Sequence, residues 1–177
     1  MRSDFFQAFI KTGVVVTVVI AGAFAIVWVF DSDRNHRSDT RAQHRSCVNN
    51  LKQIALAFHQ WALDHGDQFP FNVSTNAGGT LEFCNIGVDG LDRNSALHFQ
   101  VMSNELNTPM ILVCPNDRST WGALGFANLR PSNVTYQMRS SRNLSQQSRR
   151  EILVVCPIDN NVLYCDVTVA EAKWTGK

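Results

Sequence analysis

The sequence lacks strong net charge, compositional bias and any recognisable catalytic motif. Its 16 Lys and Arg against 15 Asp and Glu leave a formal net charge of +1, whereas general nucleic-acid binders depend on a strong basic excess. With 10 Gly and 5 Pro in 177 residues and no low-complexity stretch, the chain resembles neither collagen nor a disordered tail. It has no G-x-x-x-x-G-K, G-x-S-x-G or H-E-x-x-H motif. We therefore predict no enzyme, no catalytic residue, no cofactor and no small-molecule substrate.

The cysteines lack the C-x-x-C spacing of common metal sites. There are five of them, at positions 47, 84, 114, 156 and 165. Zinc ligation by four cysteines would need the fold to gather distant residues, so the sequence predicts no metal site. A cysteine nucleophile assisted by His59, His65 or His98 is a formal alternative, but nothing in the sequence places an orienting acid beside such a pair.

One disulfide is predicted from hairpin geometry. Residues 152–156 and 162–167 have strand patterns, and Asn160-Asn161 between them is typical of a two-residue turn. In that register Cys156 faces Cys165 as a non-hydrogen-bonded pair, with Cα atoms about 4.5 Å apart. Exported domains permit disulfides, so we predict a Cys156–Cys165 bond. A pairing of Cys84 with Cys114 stays open.

The longest apolar run covers residues 13–30 and contains no charged side chain. As a helix it would be about 27 Å long, close to the thickness of a bilayer's hydrocarbon core. We predict a transmembrane helix in contact with lipid, preceded by an N-terminal tail at residues 1–12, and the flanking charges do not fix its orientation. A buried core helix is disfavoured because so small a domain could hardly cover it, and a cleaved signal is disfavoured by the length of the run.

After the apolar run the pattern predicts a helix and then strands. Residues 31–40 are polar and form either a linker or a continuation of the membrane helix. A helix is predicted at 41–65, where Thr40 and Gln43 suggest a capping box and Gly66 a stop. Its apolar side chains recur at intervals of three and four, and those predicted to pack the helix on a sheet are Leu51, Ile54, Phe58 and Trp61.

The second half of the chain predicts a short helix at 95–106 and strands at 110–114, 134–138, 152–156 and 162–167. Helices followed by strands indicate an α+β fold with a small antiparallel sheet. The segments VCPND at 113–117 and VCPID at 155–159 resemble each other. Two strands that end in the same turn chemistry explain this likeness without a repeat.

Between Asp117 and Glu151 the chain has six arginines and no acidic residue. A solvated loop is one interpretation, and a surface for an anionic partner such as phospholipid headgroups is the other. The candidate residues of that surface are Arg130, Arg139, Arg142, Arg149 and Arg150. The segment has few aromatic residues for base stacking, so no nucleic-acid partner is expected. A calcium loop formed by Glu82, Asp89 and Asp92 is a further alternative.

Residues 47–70, CVNNLKQIALAFHQWALDHGDQFP, resemble the helix of bacterial type IV pilin-like proteins, the pseudopilins related to type II secretion systems. The likeness is greatest to a subfamily whose helix contains C-x-N-N-L-K-Q-I, and it extends over roughly residues 12–169. It implies a helix whose first half lies in the inner membrane and whose second half packs on a small sheet. It also implies that the domain at 41–177 faces away from the cytoplasm and that the tail at 1–12 is cytoplasmic.

The N-terminal segment departs from the pilin pattern. Such precursors usually have a Gly, an aromatic residue and then Thr-Leu-x-Glu, whereas here Gly13 is followed by valines and Val18 stands at the position of the Glu. The resemblance therefore implies an uncleaved, membrane-anchored structural or interaction subunit of a secretion or surface assembly, with protein partners. The alternative is a tethered extracytoplasmic module that binds a partner within a larger membrane complex.

Overall fold

The computed structural model describes residues 39–172, which form an α+β fold with one four-stranded antiparallel sheet. Helix α1 covers residues 39–64. It is followed by loops with short 3-10 turns and then, in chain order, by α2 (Ser95–Val101), α3 (Ser103–Leu106), β1 (Gln137–Met138), β2 (Ile152–Cys156), β3 (Asn161–Tyr164) and β4 (Val169–Glu171). The strands lie in the order β1-β2-β3-β4, so each pairs with its neighbour in sequence. The predicted fold class is thereby confirmed at this level.

The predicted cytoplasmic tail at 1–12 and transmembrane helix at 13–30 lie outside the described residues. Of the segment 31–40, the structure describes residues 39 and 40, and both are helical. Thr40 therefore belongs to α1, and its predicted role in a capping box at the start of the helix is wrong. Among residues 39–172, no helix combines the length and the apolar character needed to cross a bilayer.

Helix α1 buries one side and exposes the other, as its periodicity predicts. The side chains at three- and four-residue spacing are buried in the main core, namely Cys47, Leu51, Ile54, Phe58 and Trp61. Strand residues Leu153, Val154 and Leu163 belong to the same core. Hydrogen bonds also join α1 to the rest of the domain. Among them, Asn50 Nδ2 donates to Val113 O at 3.2 Å, and His59 Nε2 lies 2.8 Å from Cys165 O.

The centre of this core is aromatic. The Phe58 ring lies 5.3 Å from Phe69, 6.3 Å from Phe71 and 6.2 Å from Phe99, measured between ring centroids. The first two partners follow α1 in sequence and the third is on α2, so α1 packs on this layer as well as on strand residues. The helix ends before Gly66, whose φ of +65° is a conformation that a glycine adopts without steric cost.

The register of the β2–β3 hairpin differs from the prediction. Cys156 pairs with Asn161, and the residues between them form a four-residue connection. The predicted two-residue turn would have placed Pro157 inside the ladder, where it has no N–H to donate. Cys165 instead follows β3, and its N–H donates to Glu151 O at 2.9 Å.

The predicted Cys156–Cys165 disulfide is consequently wrong, because the two residues are not cross-strand partners. All five cysteines are free thiols, so the open Cys84–Cys114 pairing is absent as well.

The segment 110–114 is not the strand that its apolar run predicts. Residues Pro109–Leu112 form a 3-10 turn, in which Thr108 Oγ1 accepts from Met110 N at 3.3 Å. Proline in the first position of a helical turn is favoured, since its φ is already set and its missing N–H has no partner there. This turn delivers Cys114 to the core, where the cysteine is fully buried.

Candidate functional site

Three cysteines from distant parts of the chain meet at one buried point. Cys47 lies on α1, Cys114 follows the 3-10 turn and Cys156 ends β2. Their Sγ atoms all lie within 4.8 Å of one another, and all three residues are buried. We call this group the thiol cluster. Sequence spacing alone predicted no such site.

Cys114 and Cys156 each stand immediately before a turn with a similar sequence. Cys114 and Cys156 are each followed by proline and, three residues on, by an aspartate. The N–H of Asp117 donates to Cys114 O at 2.9 Å, and the N–H of Asp159 lies 3.4 Å from Cys156 Sγ. The likeness of VCPND and VCPID was therefore the signal in the sequence for this site. Of the two strands proposed to explain it, the one at 152–156 is present and the one at 110–114 is not.

A carboxylate and several donors surround the thiol cluster. Asp159 Oδ2 lies 3.5 Å from Cys114 Sγ and 3.8 Å from His44 Nδ1. The Asp159 side chain is 7% exposed and that of His44 is 39% exposed, so the imidazole reaches solvent from the same site. Asn116 Nδ2 donates to Asp159 Oδ1 at 2.6 Å and holds the carboxylate in place.

Two further groups donate to the α1 cysteine. Asn161 Nδ2 lies 3.4 Å from Cys47 Sγ, and Tyr136 Oη lies 3.6 Å from it. Both donors are buried. The thiol of Cys114 and these two donors favour the Cys47 thiolate, but the neighbouring Cys156 and burial outweigh them and raise the pKa of Cys47.

The protonation of the thiol cluster is uneven. The pKa of Cys156 falls to about 4, because the thiols of Cys114 and Cys47 and then the backbone N–H groups of the turn stabilise its thiolate. The pKa of Cys114 rises well above its usual value because of the neighbouring Cys156 and Cys47 and its own burial. Chemically, such a group can bind a thiophilic metal ion or can oxidise to a disulfide between two of its members.

A second cluster joins Cys84, Asp92 and His98, whose ligand atoms also lie within 4.8 Å of one another. The structure thus places an acid and a histidine beside a cysteine, contrary to expectation. Both ring nitrogens are already in use, however: His98 Nδ1 lies 2.6 Å from Thr80 Oγ1, and Nε2 lies 3.1 Å from Asp92 Oδ2. Burial raises the pKa of Cys84, which favours the neutral thiol.

Asp92 is the hub of that second cluster. Its carboxylate accepts from Asn85 N at 3.2 Å, from Asn94 N at 2.7 Å, from His98 and from the Ser140 hydroxyl. Burial by itself would raise the pKa of Asp92, but these hydrogen bonds outweigh it and hold the pKa at about 2.

The three proposed calcium ligands do not form a group of carboxylates within 4.8 Å of one another, and each accepts from protein donors of its own. Glu82 accepts from Ser74 Oγ at 2.6 Å, whereas Asp89 pairs with Arg93 at 2.8 Å. Asp92 is enclosed by the hydrogen bonds of the second cluster.

The other two candidate histidines have structural contacts. His59 Nε2 contacts the carbonyl of Cys165 and not its thiol. His65 stacks on Trp61 with ring centroids 3.5 Å apart, and its Nδ1 lies 2.7 Å from Trp61 O.

The five candidate arginines of the anionic-partner surface are divided among different surroundings. Arg149 and Arg150 line one open depression of about 430 Å³ together with Asp166, whereas Arg142 lines another with Gln68 and Asn72. Arg139 forms an ion pair with Glu151 at 3.2 Å, and Arg130 is exposed. The structure therefore brings Arg149 and Arg150 into one cavity and places Arg142 in another.

Comparisons of the chain with family models, with curated proteins and with solved structures found no match.

Proposed function

We propose that this chain is a membrane-anchored, pseudopilin-like structural or interaction subunit of a bacterial secretion or surface assembly. Residues 13–30 would hold it in the inner membrane, and the domain at 41–177 would lie outside the cytoplasm. The proposal combines the apolar run, the likeness of residues 47–70 to pseudopilin helices and an α+β domain packed on a long amphipathic helix.

One observation supports assembly most directly. Leu56 and Leu63 lie on the side of α1 opposite the buried face and are 59% and 73% exposed. They are seven residues apart, so at 3.6 residues per turn they share one stripe. Burying a leucine fully gains about 1.5–3 kcal/mol, which a neighbouring helix or partner would obtain by covering this stripe.

The test uses the full chain in its own membrane. After chemical cross-linking, an assembling subunit gives a ladder of bands at multiples of its 19.8 kDa mass. Replacing Leu56 and Leu63 together by lysine should abolish the ladder with little effect on the fold, since both side chains are exposed. Leu124→Lys is the matched control, because Leu124 is fully exposed outside α1. A ladder that survives the double substitution contradicts assembly through α1.

The alternative is a tethered module that binds one partner on a pilin-like scaffold. Its support is Val18, which replaces the glutamate that pilin-like relatives place in the membrane segment. A monomer that copurifies at a fixed ratio with one unrelated complex favours this function. Under both proposals we expect a chain that is not cleaved after Gly13. N-terminal sequencing that finds Val14 as the first residue would refute this expectation.

A further inference from the structure

We propose that Cys47, Cys114 and Cys156 bind one zinc ion, with Asp159 as the fourth ligand. The site does not depend on assembly, since its residues all belong to one chain. It would tie α1 to the loop at 114 and to the end of β2.

The spacing of the ligand atoms fits tetrahedral zinc. With Zn–S bonds of about 2.3 Å, two sulfurs of one tetrahedron are about 3.8 Å apart, and the three Sγ atoms lie within 4.8 Å of one another. Small rotations about χ1 close the remaining gap. A carboxylate oxygen at about 2.0 Å from zinc would lie about 3.5 Å from each sulfur. Asp159 Oδ2 is already 3.5 Å from Cys114 Sγ, but the Asp159 carboxylate is not within 4.8 Å of all three sulfurs, so its side chain would turn further into the cluster to complete the tetrahedron.

The type of ligand selects the metal. Three sulfurs form a soft donor set, which favours zinc or copper(I) over magnesium, calcium or manganese. The carboxylate adds a hard oxygen ligand, which suits zinc better than copper(I). The three cysteines are buried, as the ligands of a structural zinc site are. In such a site protein ligands occupy all four positions.

The outer contacts are those that a metal–thiolate site requires. The Asp159 N–H lies 3.4 Å from Cys156 Sγ, and Asn161 Nδ2 lies 3.4 Å from Cys47 Sγ. Asn116 fixes the free oxygen of the Asp159 carboxylate at 2.6 Å. Such second contacts orient ligands and offset the excess negative charge, and their loss typically lowers metal affinity about 10–100-fold.

The competing state is a disulfide between two members of the thiol cluster. It would consume two of the three sulfurs and release two electrons and two protons to an external thiol oxidant. Exported domains meet such oxidants, so the test must distinguish the two states. Bound zinc protects the thiolates from oxidation, whereas a disulfide leaves a single thiol in the cluster, which cannot hold the metal.

The first experiment measures metal in the full chain, purified in detergent under reducing conditions without a chelator. We expect about one equivalent of zinc by elemental analysis, for a single closed site. Cobalt(II) added to the metal-free chain should give thiolate-to-cobalt charge-transfer bands and the intense visible bands of a tetrahedral complex. Zinc should then displace the cobalt and remove the bands.

The second experiment uses the cysteines outside the thiol cluster as matched controls. Cys114→Ser and Cys156→Ser should lose the cobalt bands, whereas Cys84→Ser and Cys165→Ser should retain them. Asp159→Asn should weaken zinc binding by at least about tenfold, and exposed Asp166→Asn should not change it. If a serine variant does not fold, the spectrum of the wild-type chain still decides, because its intensity reports the number of thiolates.

Three results would contradict the proposal. One is a reduced wild-type chain that holds no zinc and gives no charge-transfer bands with cobalt(II). Another is a freshly isolated chain in which alkylation and mass analysis locate a disulfide inside the thiol cluster, with no zinc bound after reduction. Equal loss of the cobalt bands in Cys84→Ser or Cys165→Ser would also contradict the assignment of these three ligands.

Discussion

Replacing Asp92 by asparagine should destabilise the domain strongly, because its buried carboxylate accepts hydrogen bonds from four different residues. Its Oδ2 accepts from His98 and Ser140, and its Oδ1 accepts from the N–H groups of Asn85 and Asn94. Asparagine keeps the shape of the side chain but turns one acceptor into a donor. Two buried donors then lose their acceptor.

The magnitude follows from those two donors. An unsatisfied buried polar group costs about 1–3 kcal/mol, so the loss of two acceptors in Asp92→Asn should lower the free energy of unfolding by about 2–6 kcal/mol at pH 7. Urea unfolding of the full chain in detergent, followed by circular dichroism, measures this change. Glu151→Gln is the control: its ion pair with Arg139 is at the surface, and exposed pairs contribute at most about 1 kcal/mol.

The same residue predicts a pH dependence. The pKa of Asp92 in the folded protein is about 2, below the value of about 3.9 for an unfolded chain. A lowered carboxyl pKa stabilises the fold above pH 4, and this contribution is lost as the pH falls towards 2. A difference of nearly two units between the folded and unfolded pKa values corresponds to roughly 2 kcal/mol of stability. The difference in the free energy of unfolding between wild type and Asp92→Asn should therefore decrease by that amount from pH 5 to pH 2. A difference that stays constant refutes the reasoning, as does an Asp92→Asn variant no less stable than Glu151→Gln.

Two further substitutions test the packing of the domain, each by urea unfolding against a matched control. Phe58→Ala should cost about 3–5 kcal/mol of unfolding free energy, because the ring is buried among three other phenylalanines. Leu56→Ala, on the exposed side of α1, should cost less than about 1 kcal/mol. Equal losses would contradict the assignment of the two faces. Gly79→Ala should cost about 1–3 kcal/mol, since its Cβ would collide with the backbone carbonyl of Val73. Gly125→Ala has open space around the new Cβ and should change stability by about 0.5 kcal/mol or less. A neutral Gly79→Ala would show that this close approach is absent.

The sequence predicted those parts of the fold that depend on local periodicity. Helix α1 was predictable because apolar residues recur every three or four positions, and its end because Gly66 can adopt a positive φ. Strand β2 was predictable as a short β-branched run. The segment 110–114 has the same apolar character but forms a 3-10 turn, because Pro109 precedes it. Local composition did not distinguish these two outcomes.

Long-range contacts explain what the sequence did not predict. The second cluster required Asp92 to meet His98 and Ser140, and no spacing indicates that contact. The thiol cluster likewise joins positions 47, 114 and 156, which lie far apart in the chain. Its only local sign was the repeated Cys-Pro-x-Asp segment, which specifies a turn but does not indicate that both turns face α1.

The hairpin register and the thiol cluster have a common cause. With the predicted two-residue turn, Asp159 would be a strand residue opposite Val162, and its backbone and carboxylate could not both face the sulfurs. The observed four-residue connection begins with Pro157, frees Asp159 from the ladder and places Asn161 opposite Cys156. It thereby brings the Asp159 N–H to Cys156, the Asp159 carboxylate to Cys114 and the Asn161 amide to Cys47. A change that shortens this connection by two residues should therefore remove zinc binding as well as shift the register.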